Sequence, residues 1–160
     1  MANCTPCTDF IESMGILWES EGLPRIAGRI FGYLVVQPEP CSLDDLAVGL
    51  GVSKASISTD ARRLEQLGLV SRVSRPGDRR DYYTLDPEAP ASGLEIRLRT
   101  LRRFDRCRID TTDRSKLHPV VQQRLARFEY AQDRLVKALE DVLADVRGHL
   151  TSSAPPTDIQ

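Results

Sequence analysis

A chain of 160 residues with 41% hydrophobic and 28% charged content can build a compact core, and it carries no run long enough for a membrane span or secretory leader, which predicts a cytoplasmic protein. The net charge of −1 argues against a polyanionic partner only until its distribution is read. Lys and Arg number 2 against 7 Asp and Glu over residues 1–52, 7 against 4 over 53–85, 6 against 4 over 86–108 and 7 against 8 over 109–160, so the positive excess sits in the middle of the chain.

Residues 1–7 are expected to be loose. Thr8 or Asp9 suits the cap of a helix whose apolar face is Phe10, Ile11, Met14, Ile16, Leu17 and Trp18, with Glu21-Gly22 breaking it. Pro24 fits the first turn of the next helix, where its missing N–H costs nothing, and Ile26, Ile30, Phe31, Tyr33, Leu34 and Val35 bury that helix. Gly28 and Gly32, four apart, leave room for another helix to pack closely. Pro38-Glu39-Pro40 ends the segment.

The next stretch organises the chain. Ser42 with Asp45 three residues on has the form of a capping box, and Leu43, Leu46, Ala47 and Leu50 make the buried stripe of a short helix closed by Gly49 and Gly51. Ser53 caps a second helix reaching about Leu67, with Ala55, Ile57, Ala61, Leu64 and Leu67 inward. Its outward face carries Lys54, Ser56, Ser58, Thr59, Arg62 and Arg63, with Asp60 as the only anion among them. Hydroxyls and cations of this kind read base edges and phosphates in a major groove. After Gly68, residues 69–74 alternate as a half-buried strand, Arg75-Pro76-Gly77-Asp78-Arg79-Arg80 forms a turn, and residues 81–85 return as a second strand. The order is a helix-turn-helix followed by a wing. An arginine-tipped hairpin beside a groove-reading helix suits a minor-groove or phosphate contact, which adds Arg75, Arg79 and Arg80 to the candidate DNA ligands.

These residues also resemble a family. Asp78-Arg79-Arg80 after a Gly-Leu-Val strand start is similar to the wing motif of the MarR family of bacterial winged-helix regulators. Gly22-Leu23-Pro24-Arg25-Ile26-Ala27-Gly28-Arg29-Ile30 resembles the N-terminal helix of its GbsR-like branch, and Pro76-Gly77-Asp78-Arg79-Arg80-Asp81-Tyr82-Tyr83 resembles that branch's wing. The likeness covers residues 8 to about 86. The chain departs from it at Lys54-Ala55-Ser56-Ile57-Ser58, where the branch has Arg-Gly-Asn-Val-Ser, so a different operator is expected. The resemblance implies that Asp78 orients the Arg80 guanidinium. It also implies a small-molecule effector that resets the spacing of two DNA-binding heads. Related choline-responsive regulators recognise a quaternary ammonium group, which an aromatic cage can hold, and Trp18, Phe31 and Tyr33 are the candidates here, though plain core is the commoner fate of such residues.

Beyond the linker Asp86-Pro87-Glu88-Ala89-Pro90, a helix over about residues 91–109 turns Leu94, Leu98, Leu101 and Phe104 inward. Its other side bears Arg97, Arg99, Arg102, Arg103, Arg106 and Arg108, either a solvated face or a surface for phosphate or an acidic partner helix. Over residues 117–150, Val121, Leu125, Phe128, Gln132, Leu135, Leu139, Val142 and Val146 alternate by four and three as a heptad seam, widened by Val136, Leu143 and Leu150. So long a helix on so small a chain points to pairing with a second subunit, which fits a palindromic operator.

Cys4-Thr5-Pro6-Cys7 has CxxC spacing but no second pair, and His118 and His149 lie far off, so incidental thiols are favoured over a metal or redox site. No triad spacing or phosphate-binding glycine loop occurs. The expectation is therefore a mainly α protein with a small β-wing, not an enzyme, and without metal or cofactor. It is organised as N-terminal helices forming a dimer or effector frame (1–40), a winged helix-turn-helix (41–86), C-terminal helices with a long dimerisation helix (87–150) and a flexible tail (151–160). Its partners are double-stranded DNA, a second copy of itself and a small-molecule effector, and its action is that of a repressor. Two other readings stay open: a thiol-based redox-sensing regulator using Cys41, Cys107 or the N-terminal pair, and a winged-helix module that docks protein.

Overall fold

Two helices joined by a short turn can approach only as closely as the side chains between them permit, and the computed structural model, which describes residues 5–152, shows how this chain removes that limit. Helices α1 (Thr5–Ser20) and α2 (Arg25–Val35) pack along each other with Gly28 directly against α1. A methyl group at Gly28 would stand 2.5 Å from the Met14 carbonyl oxygen, so only hydrogen fits. α1 begins within the segment expected to be loose; residues 1–4 and 153–160 lie outside the described part. Pro24 occupies the N-cap rather than the first turn of α2. Ala27, Ile30 and Leu34 then form the buried face that α2 presents to the rest of the unit.

The chain forms two compact units, Met1–Ala89 and Pro90–Gln160. In the first, α2 is central and packs on α1, α3 (Leu43–Leu50), α4 (Lys54–Gln66) and the sheet. Ser42 and Asp45 close a reciprocal cap at the start of α3: the Ser42 hydroxyl accepts the Asp45 N–H, and the Asp45 carboxylate accepts the Ser42 N–H at 2.9 Å. Gly51, with φ 65°, ends the helix, and Ser53 caps α4. Ile57, Ala61 and Leu64 fill the core beneath α4. Two positions depart from the expected faces. Ala55 is exposed and Asp60 is buried, its carboxylate taking Arg63 Nη1 at 3.4 Å. Burial of an acid at the edge of the apolar stripe is tolerable because that partner stays within reach.

The sheet has three antiparallel strands in the order β1 (Cys41–Ser42), β3 (Tyr82–Leu85), β2 (Val70–Val73). β2 and β3 form the wing, in register Val70 with Leu85 through Val73 with Tyr82, and Tyr82 and Tyr83 are both buried. The two-residue β1 pairs Cys41 with Tyr83 and fastens the wing to the entrance of α3.

In the second unit, α5 (Ala89–Arg102) runs into a 3-10 turn (Arg103–Cys107), then α6 (Thr111–Arg114) and α7 (Pro119–Ser152). Ala91, Leu98 and Leu143 are its buried centre, with Leu94, Val136, Leu139, Val146 and Leu150 packed around them. The single heptad seam expected along α7 is therefore divided. Leu139 and Val146 join Val136, Leu143 and Leu150 against α5, and Gln132 Nε2 donates to the Leu101 carbonyl at 3.3 Å. Val121, Leu135 and Val142 face outward, and Phe128, though largely exposed, lies against Phe104 with ring centroids 5.1 Å apart. Ion pairs Arg102–Glu140, Arg147–Glu95 and Arg108–Asp133 staple α7 to the α5 segment, so three basic residues of this unit are committed within it. No helix among the described residues is long and apolar enough to cross a membrane.

Candidate nucleic-acid interface

Helix α4 turns its N-terminal half and one side to solvent. Ser53 caps it through the Ser56 N–H, and the two hydroxyls of Ser53 and Ser56 lie 3.0 Å apart, so Ser56 is part of the cap. Lys54 reaches back to Asp44 on α3 at 2.8 Å. Thr59 donates to the Ala55 carbonyl while its oxygen stays exposed. Arg63 leans on Asp60. Ser58, half-buried, and Arg62, fully outward, have no recorded partner among the described residues. Hence the six polar residues of this face share one side of the helix but differ in freedom: Lys54, Ser56 and Arg63 are engaged within the protein, and Arg62, Ser58 and Thr59 offer unspent donors or acceptors.

The wing tip is built around Asp78. Pro76 and Gly77 (φ 80°) occupy the central positions of a turn closed by Asp78 N–H to the Arg75 carbonyl at 3.1 Å, the form in which proline precedes a left-handed glycine. Asp78 then accepts the backbone N–H of Arg80 at 2.9 Å, Arg80 Nε at 2.9 Å, Arg80 Nη2 at 2.6 Å and the Tyr82 hydroxyl at 2.8 Å. The hydrogen bonds from Arg80 hold the Asp78 carboxyl well below the usual carboxylate range, and in return Asp78 raises Arg80 and Tyr82. Arg75 lies over the Tyr82 ring at 4.3 Å, with its Nη2 donating to the Pro40 carbonyl at 3.2 Å. It therefore braces the hairpin against the segment before β1. Arg79 stands exposed between Asp78 and Arg80, and it alone of the tip arginines has no partner among the described residues.

Tyr82 and the Pro40 carbonyl are parts of this tip that sequence reasoning did not single out. The spacing held one signal for Tyr82, an aromatic four residues after the acid. Lower on the wing, Arg72 sits between Glu65 and Asp81, at 3.5 Å from each, and ties the hairpin to α4.

The three aromatic candidates for an effector cage do not converge. Trp18 and Phe31 stack on each other with centroids 5.5 Å apart, whereas Tyr33 lies over Gly49 of α3. Burial pushes the Tyr33 hydroxyl up. Cys41 is buried, its Sγ against the Glu39 carbonyl, and burial with the nearby Asp45 charge raises its thiol, which disfavours the reactive thiolate. Cys107 is exposed. Cys7 is disulfide-bonded, which corrects its reading as an incidental thiol, and Cys4 lies outside the described residues. His118 accepts the Val120 N–H at the start of α7. Among the described residues no group of three or more His, Cys, Asp or Glu is placed to hold a metal ion.

Comparison with known proteins bears on the same region. The MarR family model matches residues 21–81, which span α2, the helix-turn-helix and the wing tip. The chain is 36% identical over 153 residues to the HTH-type transcriptional regulator MmpR5 of Mycobacterium tuberculosis, covering 94% of this chain and 90% of that protein. It is 26% identical over 78 residues to the HTH-type transcriptional repressor OpcR of Bacillus subtilis, covering 49% of this chain and 42% of that protein. Among solved structures, a crystal structure of a transcriptional regulator superposes with a TM-score of 0.69 at 33% identity, covering 89% of this chain and 99% of that one.

Proposed function

This chain belongs to the MarR family of DNA-binding transcriptional regulators, and from that premise we propose that it acts as a homodimeric repressor on a palindromic operator. In this reading α4 of each copy enters a major groove, with Ser58, Thr59 and Arg62 toward base edges and Lys54, Ser56 and Arg63 along the phosphates. The wing of each copy carries Arg79 into the adjacent minor groove. The repressor role is supported by the likeness to OpcR, a transcriptional repressor, and the GbsR-like branch by the N-terminal and wing motifs.

One observation carries the assignment of roles within the wing. Asp78 takes hydrogen bonds from Arg80 and Tyr82, Arg75 lies over the Tyr82 ring and bonds the Pro40 carbonyl, and Arg79 projects uncommitted from the turn they make. A cation held on a preformed support loses little entropy on entering a groove. Arg75 and Arg80 accordingly shape the tip, and Arg79 is its principal DNA ligand.

The test is fluorescence anisotropy with a duplex from the region upstream of the protein's own coding sequence, across a salt series. Arg79→Ala should weaken binding and flatten the slope of log affinity against log salt by about 0.9 for each phosphate charge it neutralises. Arg80→Ala should weaken binding as well, accompanied by loss of protection at the wing amides in hydrogen exchange. Unchanged affinity and slope in Arg79→Ala would refute this division of labour.

A further inference from the structure

Asp44 is an exposed acid that takes no part in capping its own helix. It lies in the first turn of α3 beside Asp45, and Asp45 alone makes the reciprocal cap with Ser42. Asp44 instead reaches out of α3 to the first residue of α4. Lys54 Nζ lies 2.8 Å from its Oδ1 and 3.0 Å from its Oδ2, and the side chains of Lys54 and Asp44 are 58% and 53% exposed. So exposed a pair adds little to stability. Other ion pairs of the DNA-reading unit shape it: Arg80 with Asp78 makes the wing tip, Arg72 with Glu65 ties the hairpin to α4, and Arg63 accompanies the buried Asp60. The Asp44–Lys54 pair has no such part, yet it neutralises the one cation in the first turn of α4. Of the seven Lys and Arg residues over 53–85, only Arg62 and Arg79 are without an ion pair among the described residues.

We infer that Asp44 is a specificity-determining residue, which withholds Lys54 from DNA phosphates in non-specific complexes and yields it in the operator complex. The inference rests on the placement of α4 in the major groove proposed above, and Asp44 acts through Lys54 without touching DNA. Range decides the effect. Opposite charges 2.8 Å apart cancel at a distance, and screening at physiological salt, with a Debye length of about 8 Å, removes most of what remains. Binding to random duplex is almost wholly electrostatic, so a cation cancelled in this way adds little to it. In the operator complex, base contacts from Ser58, Thr59 and Arg62 hold α4 at a fixed depth, and a phosphate comes within direct reach of Lys54. The flexible lysine stem then carries its ammonium across, and the exposed pair that it leaves costs little to break. An acid that served only the fold would, on removal, weaken binding to every duplex. One that withholds a cation strengthens binding on removal, and most where binding is least selective.

The test is fluorescence anisotropy with full-length protein across a salt series, on the duplex from upstream of its own coding sequence and on a scrambled one of equal length. Far-UV circular dichroism confirms helix content. Asp44→Asn should tighten binding to the scrambled duplex about tenfold and steepen its salt slope by about 0.9 for each head. On the upstream duplex it should gain no more than about threefold, so the preference between the two falls. Asp44→Glu, which keeps the charge, should stay within about twofold of the wild type on both. Lys54→Ala should lose about tenfold on the upstream duplex and stay within about twofold on the scrambled one. A wild type that prefers the upstream duplex, with Asp44→Asn leaving affinity and slope on the scrambled duplex unchanged, would overturn the role of Asp44 alone. Equal gains on both duplexes would do the same. A wild type without preference would overturn it together with the DNA-reading proposal.

Discussion

Replacing Gly28 with alanine should destabilise the N-terminal unit even though alanine is the better helix former. The added Cβ would sit 2.5 Å from the Met14 carbonyl oxygen and 2.9 Å from Trp18 Cβ and Cγ, against a practical limit of 3.0 Å, so α1 must retreat by at least 0.5 Å. The intrinsic helix preference favours alanine by about 1 kcal/mol. Overpacking costs about 1–3 kcal/mol, and here the upper part of that range applies, because the obstacle is backbone and the movement loosens a whole helix pair. The expected balance is a loss of about 1–2 kcal/mol. Gly148 supplies the control: it lies in α7 with nothing within 4 Å of an added Cβ, so Gly148→Ala should gain up to about 1 kcal/mol. Urea unfolding followed by Trp18, the only tryptophan and one stacked on Phe31, reads the first substitution directly. Thermal melting by circular dichroism reads the second. A Gly28→Ala protein as stable as the wild type, alongside a stabilised Gly148→Ala protein, would mean that α1 and α2 are not in close approach.

Ser42→Ala removes a buried cap that both donates to and accepts from Asp45, and should cost about 1–2 kcal/mol of unfolding free energy in denaturant titration. Asp45 and Asp78 are both held below the ordinary carboxylate value, Asp45 by its bonds from Ser42 and Asp78 by its bonds from Arg80. A depressed carboxylate contributes stability that is complete above the unfolded value of about 3.9 and is lost as pH falls through the folded one. Stability should therefore be flat in this respect near neutrality and decline on acidification below about pH 4, with a smaller decline in Asp45→Asn, measured by urea midpoints across pH. Iodoacetamide should label Cys107 rapidly and Cys41 only on unfolding, read by mass spectrometry. Rapid labelling of native Cys41 would revive the thiol-sensing alternative.

The local devices of the DNA-reading unit were legible because each is closed by residues near in sequence. Ser42 with Asp45, Ser53 before α4, and Pro76-Gly77 at the tip are chemical instructions spanning a few residues, and the alternation that marks the first wing strand needs no tertiary context. Asp60 was misplaced because its helical position borders the apolar stripe, where packing and the nearby Arg63 decide which way a side chain goes. β1 is too short to alternate and exists because β3 offers it an edge. The bond from Arg75 to Pro40 spans 35 residues and leaves no sequence signal, so the bracing of the wing by Arg75 was not legible. The helix expected over 91–109 gives way at Arg102 to a 3-10 turn without a Gly or Pro to announce it. Along α7 the heptad was real, but periodicity alone does not say which flank of a wide stripe a neighbouring helix will take.

Sequence-selective reading of duplex DNA by α4 is the central claim, and competition binding tests it most directly. The wild type should prefer the upstream duplex over a scrambled one of equal length by about 10³ or more at physiological salt. Arg62→Ala should lower that preference by about tenfold or more while leaving affinity for the scrambled duplex nearly as it was. Equal affinity for the two duplexes in the wild type would contradict the central claim.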